Sequence, residues 1–429
     1  MAKNTDPKLQ KQIIYSIYVR SHSPEGTFRA ILPDLDRIRD LGADIIWFMP
    51  IHPIGVQGKK GSLGCPYANR DYRGVNPAYG TREDFQELCD AIHARGMKVM
   101  IDVVYNHTSP DSVLFEQHPE FFYHDKDGRP GNKIGDWADV IDLDYTNPAL
   151  WDYQIESLCG WAELVDGFRC DVASFVPLAF WEKARAAVER VRPGCIWLAE
   201  TVHGGFGAFA RHEGFTSETD YEMFSAFDLE YEYDIRTVFD RYVRAEIALS
   251  HWLDMLNMQE ATYPANYNKM RCLENHDQPR IASLVKNEND LVNFTAMLYF
   301  LKGTTLLYAG QETENTRQPS LFEKEPVDWD TGRDLTPLLR CLAAIKHELL
   351  GADDLFRAEA DDRHHIAILE RENGDGRKIG VFSLRSEIAR VPVNAPDGRY
   401  INAVDGKEVL VENRTMLCLG KPVIFTVST

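Results

Sequence analysis

Asp171 and Glu200 each close an apolar run, VDGFRCDVA (165–173) and CIWLAET (195–201). Two further runs, KVMIDVVYNH (98–107) and NKMRCLENHD (268–277), close on His107 and on His276–Asp277. One polar run end is ordinarily a cap or a turn. Four such ends of parallel strands, gathered at one face of a sheet, form a site. Neighbouring strands lie about 4.8 Å apart. Two carboxyl groups ending adjacent strands therefore suit the roughly 5–5.5 Å separation with which a carboxylate nucleophile and a carboxylic acid cleave a glycosidic bond with retention.

The two acids are expected to titrate differently. Arg169 precedes Asp171 by two residues, which puts both on one strand face, where a guanidinium favours the ionised nucleophile. Glu200 follows Trp197, Leu198 and Ala199. Apolar surroundings, with Asp171 and Asp277 nearby, raise its pKa and keep it protonated as a general acid. The bland alternative is a structural Arg169–Asp171 ion pair. His107, His276 and Asp277 suit sugar hydroxyls. Zinc hydrolysis is disfavoured, because a zinc site needs three or four converging ligands and no H-x-x-x-H or H-E-x-x-H motif occurs. Tyr67 and Tyr72, in CPYANRDY, are either sugar platforms or core aromatics.

The elements that position these groups follow from periodicity. Besides the four runs above, short apolar stretches occur at 13–20, 43–50, 225–234 and 304–312. Amphipathic stretches such as FRAILPDLDRIRDLG and REDFQELCDAIHARG separate them. Eight strand–helix repeats predict an α/β fold, a (β/α)8 TIM barrel. A doubly wound sheet would place a Gly-rich turn after its first strand, and SHSPEGTF is not one. The predicted barrel spans 1–107 and 146–350, with a short inserted domain at 108–145 after strand three. Residues 351–429 alternate around Asn/Asp-Gly turns, as in an antiparallel β-sandwich domain.

Composition narrows the partners. The net charge of -19 argues against nucleic acid and anionic membranes, since Lys and Arg supply most phosphate affinity. The N-terminus, MAKNTDPKLQKQ, carries no apolar signal segment, and no run reaches the roughly 18 apolar residues of a membrane span. The eight cysteines form no C-x-x-C pair. The expectation is a reduced, cytoplasmic protein.

DVVYNH (102–107), GFRCDVA (167–173), WLAET (197–201) and LENHD (273–277) resemble, in order, the four conserved regions of the α-amylase family, glycoside hydrolase family 13. GVNPAYGTREDF (74–85), IDLDYTNP (141–148) and LLYAGQE (306–312) resemble its auxiliary motifs, so the likeness covers nearly the whole chain. It implies Asp171 as nucleophile, Glu200 as acid/base and Asp277 as the third acid, holding the 2- and 3-hydroxyls. Arg169 would orient Asp171, His107 and His276 would bind hydroxyls, and Tyr67 would stack beneath the reacting glucose. Asp102 and Asn106 would support the site. The implied activity is α-amylase-like hydrolysis of α-1,4-glucosidic bonds in starch-derived glucans or maltooligosaccharides. Transglycosylation or α-glucosidase action with the same acids is the alternative, and a non-catalytic relative the distant third. Ala68, where exo-acting relatives often have Asp after the stacking Tyr, weakens the α-glucosidase reading. No cofactor is required. A structural calcium stays open, with the pattern against it: Phe175 stands where calcium-dependent relatives have a His, although Asn106 remains.

Overall fold

The computed structural model describes residues 5–134 and 137–428. Residues 1–4, 135–136 and 429, which fall in the spans read as barrel, insertion and C-terminal domain, lie outside it. Eight parallel strands form the barrel: β1 (Ile13–Ile17), β2 (Ile45–Phe48), β3 (Lys98–Val103), β4 (Gly167–Cys170), β5 (Ile196–Ala199), β6 (Leu229–Tyr231), β7 (Lys269–Arg271) and β8 (Thr304–Tyr308). They follow one another in sequence order around a closed sheet, with β8 paired to β1. Each lies within a predicted run but is shorter. The polar run ends leave the ladder and become the loops at the barrel mouth.

Strand alternation sorts the side chains into two cores. Ile14, Ile45, Trp47, Met100, Ile196, Leu198 and Leu306 fill the barrel interior. Their neighbours Tyr15, Ile46, Val99, Phe168 and Trp197 face outward and pack under the surrounding helices. One such helix, α1 (Arg82–His93), starts with a capping box between Thr81 and Asp84 and buries Phe85, Leu88, Cys89 and Ile92 along one face. The stretch 28–42 is less regular than its amphipathic pattern implied. It forms a 3-10 turn over Arg29–Asp34 and then a short α-helix, Leu35–Asp40. Pro33 lies in the first of these and has no N–H to continue a helical ladder.

Beyond β3 the chain makes a small hairpin between His107–Thr108 and Ile141–Asp142. After the barrel come two four-stranded antiparallel sheets. The first contains β9 (Leu355–Asp361), β10 (Ile366–Asn373), β11 (Gly376–Ser383) and β16 (Val423–Val427). The second contains β12 (Ile388–Pro392), β13 (Gly398–Ile401), β14 (Glu408–Glu412) and β15 (Thr415–Leu419). Ile366, Ile368, Val391, Val411 and Phe425 pack between them. All eight cysteines are unpaired. Among the described residues no helix is long and apolar enough to cross a membrane.

Arg371 of β10 fastens the first sheet to the barrel. Its guanidinium donates to the carbonyls of Phe300 (3.3 Å), Leu301 (3.2 Å) and Gly351 (2.6 Å), and its Nε lies 3.1 Å from Asp354. Both side chains of the pair are buried. Removing one member of a buried ion pair leaves the other uncompensated. Arg371→Ala should therefore cost about 3–5 kcal/mol, read as a lowered midpoint in urea or heat. An unchanged midpoint would refute this role for the pair.

Candidate active site

The register of three adjacent strands builds the centre. Asp102 of β3 stands opposite Arg169 of β4, and Cys170 opposite Ala199 of β5. Asp171 and Glu200 are the next residues on their strands, so they emerge side by side at the barrel mouth. Arg169 is completely buried. Its Nη1 donates to Asp102 Oδ1 (2.9 Å) and Asp171 Oδ1 (2.8 Å), and its Nη2 lies 2.9 Å from Glu200 Oε2. Its Nε donates to the Tyr231 hydroxyl at 3.2 Å. The rings of Trp47, Tyr67 and Tyr231 surround the cation at 5.2–5.5 Å.

The remaining predicted residues converge on this core. The Tyr67 hydroxyl donates to Asp102 Oδ2 at 3.0 Å and lies 2.7 Å from His276 Nε2, and the two rings stack 5.4 Å apart. His276 Nε2 is 3.0 Å from Asp277 Oδ2. The Asp277 side chain is 40% exposed, against 10% for Asp171 and 9% for Glu200, so it is the acid that opens to the cleft. His107 Nε2 is 3.9 Å from Asp171 Oδ2, and Asn106 holds the other ring nitrogen at 3.2 Å. Tyr72 takes the core option. It is 2% exposed, and its hydroxyl donates to the carbonyls of Val104 and His107.

Three contributors escaped the sequence reading. Trp47 and Tyr231 occupy inward positions of β2 and β6, and strand alternation would have found them. Val172 follows Asp171 with φ 36°, a left-handed conformation that a β-branched residue rarely adopts. This turn aims its N–H at Glu200 Oε2, 2.9 Å away. Nothing in the sequence signals it.

Burial raises all three carboxyls that share Arg169. Glu200 moves from its ordinary 4.5 to about 7; Arg169 opposes the shift, and Asp171 and Asp277 reinforce it. Asp171 rises to about 6, because burial, helped by Asp102, outweighs Arg169. That corrects the sequence expectation for Asp171: the guanidinium is divided among three carboxyls and does not hold the nucleophile candidate in the ordinary carboxylate range. The order of the two acids stands, with Glu200 the more basic. Asp102 also rises to about 6, through burial against the pull of Arg169. Against burial, His276 is raised by Asp277, and Asp277 is lowered by His276. Burial lowers His107, which favours a neutral imidazole.

Phe175, the position weighed for a calcium ligand, has apolar surroundings. Phe175 packs with Ile134, Ala210 and Phe206 in an apolar cluster bordered by Trp137. Asn106 turns its amide to His107 and Asp142. Among the described residues no group of three or more His, Cys, Asp or Glu side chains is arranged to hold a metal ion.

A barrel whose mouth gathers these residues has known counterparts. The family model for the α-amylase catalytic domain matches residues 3–138 and 134–358, and that for the bacterial α-amylase C-terminal domain matches 357–425. The chain belongs to the α-amylase family. It is similar to the crystal structure of an α-amylase from Lactobacillus plantarum, at 42% identity and TM-score 0.94, over 98% of this chain and 100% of that one. The maltogenic α-amylase AmyB of Thermotoga neapolitana is 31% identical with TM-score 0.87, over 98% of this chain and 100% of that one. The α-amylase MalA of Haloarcula japonica is 26% identical over 364 residues, 81% of this chain and 51% of that protein. The chain thus spans about half the length of this curated relative.

The raised carboxyls have a stability consequence. An acid whose folded pKa exceeds its unfolded value binds protons more tightly when folded, so stability falls as pH rises between the two. For Glu200 that window runs from 4.5 to about 7. Glu200→Gln removes the charge and leaves an oxygen for the Val172 N–H. The variant should be more stable than wild type at pH 8 by about 1–3 kcal/mol, with the advantage vanishing near pH 4. Thermal melts at both pH values measure it, and a pH-independent difference would contradict the assigned shift.

Proposed function

We propose that the chain hydrolyses α-1,4-glucosidic bonds of starch-derived glucans or maltooligosaccharides with retention of configuration, in the manner of an α-amylase. The observation that carries the reading is the adjacent pair Asp171 and Glu200, joined through Arg169, with Glu200 the more basic member. Retention needs a nucleophile and an acid roughly 5–5.5 Å apart, which the ends of neighbouring strands suit.

The Asp171 carboxylate attacks the anomeric carbon while Glu200 passes its proton to the departing glycosidic oxygen. The C–O electron pair leaves with that oxygen, and a glycosyl ester on Asp171 results. Glu200, now ionised, takes a proton from water. That water attacks the same carbon and releases Asp171. Asp277, open to the cleft and paired with His276, is placed to accept hydrogen bonds from sugar hydroxyls, which strengthen as the ring flattens toward an oxocarbenium ion. His107, neutral and beside Asp171, offers a further polar contact. Tyr67, tied to Asp102 and His276, supplies an aromatic surface at the base of the site. Asp171 and Glu200 provide nucleophile and proton, so the reading needs no cofactor. The bulk negative charge of the chain is compatible with an uncharged glucan partner.

Proton NMR of maltooligosaccharide cleavage tests the mechanism. The first new reducing ends should be α-anomers, and β-anomers would sink it. Asp171→Asn and Glu200→Gln should each lower kcat/KM by roughly 10²–10⁴-fold, with folding intact by circular dichroism.

The pH profile follows from the same assignment. Asp171 must be ionised, so kcat/KM falls as pH drops through about 6. Glu200 must be protonated, so it falls again above about 7. The groups facing this pair from the neighbouring strands are Asp102, Arg169, Tyr231, Asp277, His276 and His107. The profile should be bell-shaped, and Glu200→Gln should abolish its alkaline limb on a substrate with an activated leaving group. An alkaline limb that survives in that variant would belong to another acid.

A further inference from the structure

Arg169 holds Asp171 at 2.8 Å and Glu200 at 2.9 Å, whereas Asp277 meets His276 at the open side of the mouth. A carboxylate that opens to the cleft is aimed by the backbone beneath it. The peptide that joins His276 to Asp277 is planar, and it is held on both edges. Its N–H donates to Asn275 Oδ1 at 2.9 Å, and Asn275 Nδ2 donates in turn to the Tyr233 hydroxyl at 3.1 Å. Its carbonyl accepts a hydrogen bond from Gln318 Nε2, on the loop after β8 and 42 residues further along the chain. Two separate elements thus fix the plane from which the Asp277 side chain leaves.

A second buried guanidinium sets where that loop stands. Arg280 and Glu274 flank the turn that carries His276 and Asp277, and both side chains are buried. Arg280 Nη1 donates to Glu274 Oε1 at 2.6 Å, and the Ile281 N–H donates to Glu274 Oε2 at 2.7 Å, which closes the turn on itself. The other donors of Arg280 cross to the end of β8 and its loop. Nη2 reaches the Ala309 carbonyl at 2.8 Å, and Nε the Arg317 carbonyl at a longer 3.5 Å. The cation also lies 4.4 Å from the centre of the Tyr308 ring. Gly310 permits this approach: its φ is 93°, and a Cβ there would stand 3.2 Å from Arg280 Nη2. Arg317 directly precedes Gln318. The guanidinium that closes the Asp277 turn therefore also places the amide that holds its tip.

We propose that Gln318 is a positioning residue for Asp277. Through the His276 carbonyl it aims the third acid at the sugar hydroxyls, and the Glu274–Arg280 pair fixes the loop from which it reaches. The proposal rests on the reading of Asp277 as the acid that holds those hydroxyls. Such contacts strengthen in the transition state, so loss of aim should appear in kcat more than in KM.

Gln318→Met keeps the length of the side chain and removes its donor. On a maltooligosaccharide with an activated leaving group it should lower kcat by about 10–100-fold, with KM and the urea midpoint near wild type. In an Asp277→Ala chain, which has no carboxylate to aim, the same substitution should change kcat by about 2-fold at most. Glu274→Gln should show the same dependence on Asp277, together with a lowered midpoint, because Arg280 loses its buried charge partner. A Gln318→Met chain as active as wild type overturns the proposal. So does a loss that is equal with and without the Asp277 carboxylate. Wild-type turnover by Asp277→Ala alone would instead overturn the reading of Asp277, and leave Gln318 with nothing to aim.

Discussion

One guanidinium sits inside the mouth of a hydrophobic barrel and faces carboxyl groups from three successive strands. Arg169 cannot neutralise Asp102, Asp171 and Glu200 together. A buried cluster with one cation and three ionised acids would hold two uncompensated charges, which a low-dielectric interior resists. The surplus is relieved by retaining protons on the acids that Arg169 satisfies least. The division of labour between Asp171 and Glu200 thus arises from scarcity of positive charge. The barrel register enforces the sharing, because β3, β4 and β5 deliver their acids at matching heights. The aromatic rings of Trp47, Tyr67 and Tyr231 keep the cation from escaping to water.

Much of this was legible in the residues themselves. Strands of a parallel barrel are covered on both faces and appear as continuous apolar runs, so all eight were visible. Their polar ends marked the site for the same reason: a charge at the end of such a run needs a purpose. Other features were hidden by their nature. The titration of Asp171 depends on how deeply its carboxyl is buried and on how many rivals share its cation, and neither is a property of the segment around it. Tyr67 and Tyr72 are five residues apart in one loop, yet one reaches the site and the other the core, a choice made by tertiary packing. The backbone turn at Val172 runs against local preference. Strain of this kind is held by its surroundings and leaves no mark in the sequence.

The C-terminal sheets complete the molecule by a different logic. Their first sheet joins the main core through Phe356, Ala358, Leu369 and Phe382, and the buried Arg371–Asp354 pair fixes its orientation against the barrel. The second sheet packs its inner face on the first and meets the barrel at a connecting loop, where Val404 lies on the main core, which leaves its outward face uncommitted.

The apolar cluster around Phe175 changes what the nearby loops respond to. Hydrocarbon packing at a loop base weakens on cooling and is strengthened by excluded solutes such as sulfate or sucrose. An ion-based clasp would answer instead to the concentration of its ion. Here that apolar contact joins the hydrogen bonds that hold the loops beside Asp171 and His107, so part of their fastening follows temperature and the bulk solvent.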